Sequence, residues 1–85
     1  MSETKSEKIK LGWFLDYVCK YSPDPNDKVS ASIALTLLRV LQSGKFDPKY
    51  KSSLKLRLMA HVGTVVKVYG MIGKTPEELL EEEGV

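Results

Sequence analysis

Nucleophilic chemistry in this chain would have to start from His61 and Cys19, its only histidine and its only cysteine. An imidazole activates a thiol or hydroxyl only within hydrogen-bond reach, with a third group orienting it. Cys19 falls beside the apolar side of its helix, and neither residue carries a cysteine-protease signature. The favoured reading of His61 is a half-buried residue on an apolar stripe, and of Cys19 a small apolar residue. One histidine leaves no His-pair metal site, and one cysteine leaves no intrachain disulfide and no multi-cysteine zinc pattern. Gly73-Lys74-Thr75 matches the end of a phosphate loop, but Val68 stands where the first glycine would be needed. The tripeptide reads instead as a helix stop followed by a helix start. Paired acids occur only among the final glutamates. The expectation is a protein that is not an enzyme and holds no cofactor or metal.

Binding chemistry is better represented. Lys45, Lys49, Lys51, Lys55 and Arg57 are five bases against one acid, Asp47, within thirteen residues, with Phe46 and Tyr50 between them. Lysines reaching phosphates beside aromatic rings that stack on bases would suit nucleic acid. A solvated loop with its aromatics turned inward is the competing reading. Ile9, Trp13 and Tyr17 gather on a second surface, an apolar-aromatic patch of the kind that anchors protein partners; Trp13 covering one end of the core is the alternative. Gly63 and Gly70 lie seven apart and would admit a close neighbour or merely loosen their helix. The closing glutamates would be solvated, fold back over the basic loop, or meet a basic partner.

The elements that position these residues are marked by stop and start signals. Thr4 and Glu7 have capping-box spacing. Asp24-Pro25, Asp47-Pro48 and Thr75-Pro76 each place an N-cap before a proline suited to the first helical position. Gly44 and Gly73 stand where helices need a left-handed residue. Four helices follow, at about 5–21, 25–43, 48–72 and 76–83. The first should bury Leu11, Phe14, Leu15, Val18 and Tyr21. The second, apolar nearly all round through Val29, Ile33, Leu35, Leu37, Leu38, Val40 and Leu41, should be the most central. The third is contested. Leu54, Leu56 and Leu58 alternate as in a strand, yet Leu54, Leu58, Val62, Val65, Val68, Tyr69 and Ile72 form one helical stripe that includes His61. Helix is favoured because its period persists, with a β-hairpin near 54–69 as the competitor. Leu79 and Leu80 should dock the short last helix.

The chain has 85 residues, 42% of them apolar and 28% charged, as for one ordinary globular domain spanning 1–85. Its fold class is expected to be all-α, a compact bundle of three main helices plus a short C-terminal one. No apolar run reaches the ~20 residues of a membrane span, and the start lacks a signal-peptide core, so a cytoplasmic protein is expected. One asparagine and one glutamine amid abundant Lys and Glu fit a thermophile. Residues 77–85 carry −5; residues 1–76, with thirteen bases against six acids, carry +7.

The run Tyr69-Gly70 followed by Gly73-Lys74-Thr75-Pro76-Glu77-Glu78 resembles the close of the helical core-binding domain of tyrosine recombinases. The resemblance covers about a third of the chain and rests on capping residues. It implies DNA clamping through the surface from Lys49 to Arg57. The first expectation is a non-catalytic binding subunit docked on a larger protein assembly acting on DNA or RNA. Direct nucleic-acid binding and self-association into homo-oligomers are the alternatives.

Overall fold

A computed structural model describes residues 10–69 and 74–85. Among them are four α-helices and no strand: α1 (Leu11–Tyr21), α2 (Pro25–Ser43), α3 (Lys51–Tyr69) and α4 (Pro76–Glu82), with a 3₁₀ turn (Pro48–Tyr50) leading into α3. Leu54, Leu56 and Leu58 are helical, so the hairpin is excluded. Leu56 points outward while Leu58 is fully buried, as a helix requires of residues ~200° apart. A strand would have placed both on one face.

The predicted caps do their work. The Asp24 carboxylate accepts from the Asn26 amide at 2.9 Å, and that of Asp47 accepts from the Lys49 amide at 3.1 Å. At α4 the box is reciprocal: the Thr75 hydroxyl accepts from the Glu78 amide at 3.2 Å, and the Glu78 carboxylate accepts from the Thr75 amide at 2.9 Å. Gly44 ends α2 at φ 70°, a left-handed conformation in which a Cβ is strained. Asp24→Ala should therefore destabilise the protein by about 1 kcal/mol, read as a lower urea midpoint with unchanged slope; an unchanged midpoint would contradict the capping role.

α2 lies between α1 and α3 and packs along both, which makes it the central helix as expected. Of the apolar residues named for it, Leu38 and Leu41 are buried, joined by two alanines that the sequence reading did not name. Ala31, Ala34, Leu38 and Leu41 point inward, while Val29 and Ile33 are 58% and 40% exposed. Gly12 of α1 faces Leu38, whose Cδ2 would lie 3.8 Å from a Cβ built there, an ordinary van der Waals contact. α1 contributes Leu11, Phe14, Leu15 and Val18, and α3 contributes Leu58, Val62, Val65 and Val66. Tyr21 does not join them. It lies at the last turn of α1, rotated ~80° from Leu11 toward solvent, and is exposed. Leu79 and Leu80 of α4 complete the cluster, both 2% exposed.

α1 begins at Leu11, with Lys10 extended at ψ 140°, so the helix expected from about residue 5 to 21 does not run unbroken through Lys10; residues 1–9 lie outside the described residues. The cap comes from the far end of the chain. The Leu11 amide donates to Glu83 Oε2 at 3.0 Å, while Gln42 Nε2 donates to Glu83 Oε1 at 3.1 Å. One carboxylate thus ties the start of α1 and the end of α2 to the last turn of the chain. The Thr4–Glu7 box, Gly70, Ile72 and Gly73 lie outside the described residues. Removing the carboxylate, Glu83→Ala, should cost about 0.5–2 kcal/mol, the range for losing an N-cap acceptor, and speed amide exchange at Leu11. Unaltered exchange there would overturn this assignment.

Candidate functional site

Trp13, Tyr17 and Tyr21 recur at every fourth residue of α1, so they stand above one another on the flank of the helix turned away from Leu11, Leu15 and Val18. The Trp13 and Tyr17 rings stack with centroids 5.5 Å apart and planes at 26°; those of Tyr17 and Tyr21 are 5.0 Å apart at 49°. All three remain open, at 59%, 47% and 68% exposure. An exposed ion pair, Lys20 Nζ to Asp16 Oδ2 at 3.2 Å, runs along their border. Trp and Tyr side chains have only two rotatable angles each, so their rings lose little freedom when a partner covers them. The sequence reading named Trp13 and Tyr17 and missed Tyr21, which had been assigned to the core. The signal was the four-residue spacing itself. Ile9, the third residue proposed for this patch, lies outside the described residues.

The five bases do not form one surface. Lys45, Lys49 and Lys51 are exposed around the 3₁₀ turn, with Lys49 Nζ 5.3 Å from the centroid of the exposed Tyr50 ring. Lys55 follows Lys51 along one flank of α3 and is half-buried. Arg57 is rotated ~200° from Lys55 and points off the other side. Among the described residues none of the five takes part in an ion pair. Phe46 packs partly against the core, so Tyr50 alone offers a ring to solvent here.

His61 is half-buried on α3, and Cys19 is half-buried against the core. At Gly63 a Cβ would meet Pro76 Cγ of α4 at 3.7 Å, ordinary van der Waals contact, so α4 approaches no closer here than a side chain would allow. Among the described residues no three His, Cys, Asp or Glu side chains gather as metal ligands would, and no helix is long and apolar enough to cross a membrane.

No family model, curated protein or solved structure matches the chain, and the resemblance to tyrosine recombinases gains no support from these comparisons.

Proposed function

We propose that this is a non-catalytic helical module that docks on a protein partner through the Trp13–Tyr17–Tyr21 ladder. The carrying observation is the exposure of three aromatic side chains on one helix, Trp13 stacked on Tyr17 and Tyr17 in tilted contact with Tyr21. Exposed aromatics of this density are costly to leave in water, and Trp and Tyr dominate the energetics of protein interfaces. The larger assembly we have in view is one that acts on DNA or RNA, which is where the spare positive charge around the 3₁₀ turn would contribute. Trp13 is the only tryptophan, so fluorine NMR of protein carrying 5-fluorotryptophan reports this site alone. Addition of the partner captured from the native source should move that resonance. A bound complex with an unmoved resonance would remove the ladder from the interface.

A second reading, direct nucleic-acid binding, is favoured by the unpaired Lys45, Lys49 and Lys51 beside the open Tyr50 ring. It predicts affinity for single strands that falls steeply with salt and disappears on reversing those three charges. Binding indifferent to both would dismiss it.

A further inference from the structure

The five glutamates of the C-terminal end are not equivalent. Glu78 accepts from the Thr75 amide, Glu82 pairs with Lys74, and Glu83 holds Leu11 and Gln42. Among the described residues Glu77 and Glu81 have no such partner. These two, one turn apart, edge an open groove of ≈ 430 Å³ whose other lining residues are Met59, Leu80, Val85 and, on the α3 side, Lys55. Lys55 makes no ion pair with either glutamate across the groove. One turn before it on the same flank stands Lys51, also unpaired and exposed.

The face therefore has a negative edge on α4 and a positive edge on α3, separated by apolar side chains. Lys51 and Lys55 are four residues apart, as are Glu77 and Glu81, so each pair is spaced ~6 Å along its helix. From this matched spacing we propose that the face pairs with a second copy of itself about a two-fold axis. Lys51 and Lys55 of each protomer would lie against Glu77 and Glu81 of the other, with Met59 and Val85 between. A two-fold contact is self-complementary, so both edges are satisfied at once. The contact is separate from the aromatic ladder and would leave it free, giving an assembly with two docking ladders.

Sedimentation at about 0.1–1 mM protein tests this, since a small, charge-rimmed contact falls in the weak class of interfaces. At ~50 mM salt the wild type should equilibrate between monomer and dimer, with association weakened about tenfold or more at ~0.5 M salt. K51E/K55E should be monomeric because acid then faces acid, and E77K/E81K monomeric because base faces base. An equimolar mixture of the two variants should recover a one-to-one dimer, since every acid then meets a base. A monomeric wild type at the highest concentration, a dimer indifferent to these variants, or a mixture that stays monomeric would each overturn the proposal. Far-UV circular dichroism checks that the variants keep their helices. If E77K/E81K does not, E77Q/E81Q replaces it, and full dimerisation of that variant would equally overturn the pairing.

Discussion

Leu38→Ala should lower the stability of the bundle by about 2–5 kcal/mol, the range for emptying a buried leucine site. Leu38 is 2% exposed on the helix that packs against both α1 and α3, and it sits over Gly12. Native domains have roughly 0.05–0.15 kcal/mol of stability per residue, which puts an 85-residue chain near ~4–13 kcal/mol. Even the smallest loss in that range, about 2 kcal/mol, would take about a sixth of the largest margin and half of the smallest. At about 4–8 °C per kcal/mol in domains of this size, the melting temperature should fall by ~8–40 °C. The transition has to be followed by circular dichroism, because Trp13 is 59% exposed and its fluorescence responds poorly to unfolding. A variant melting within a few degrees of the wild type would show that α2 is not held as described.

The second large effect concerns binding and leaves the fold nearly intact. Trp13→Ala with Tyr17→Ala should weaken the captured partner's affinity by at least ~100-fold, since central aromatic hot spots each cost about 2 kcal/mol or more on truncation. Stability should change by no more than about 1 kcal/mol, because the rings lie mostly outside the core and their stacking along one helix is worth only a few tenths. Tyr50→Ala should leave that affinity unaltered while weakening any binding to single-stranded nucleic acid. The double variant binding as tightly as the wild type would move the interface elsewhere.

These expectations rest on features of unequal visibility in the sequence. The boundaries at Asp24-Pro25, Asp47-Pro48 and Thr75-Pro76 were legible because capping is local: the donor and acceptor are two or three residues apart. The helical identity of α3 was legible because its stripe persists past the point where the leucine alternation stops. The buried side of α2 was not. The helix is apolar nearly all round, so its period alone does not choose which side is buried, and Val29 and Ile33 look as buriable as Leu38 and Leu41. The fold buries Ala31 and Ala34 completely and leaves Val29 and Ile33 at 58% and 40% exposure. Tyr21 was misassigned because it lies near the edge of the apolar arc, where a small rotation decides between core and solvent. The split of the basic residues around α3 follows from the helical period, since Lys55 and Arg57, two positions apart, cannot face one way. The role of Glu83 had no local sign, because its partners lie 41 and 72 positions away.

That last separation couples the two ends of the described bundle. The acceptor for the Leu11 amide is in reach only while the end of α4 is seated on the core. When α4 lifts away, the first turn of α1 loses its cap. The exchange rate of one backbone proton at the beginning of the bundle thereby becomes a gauge of whether the last seven-residue helix is in place.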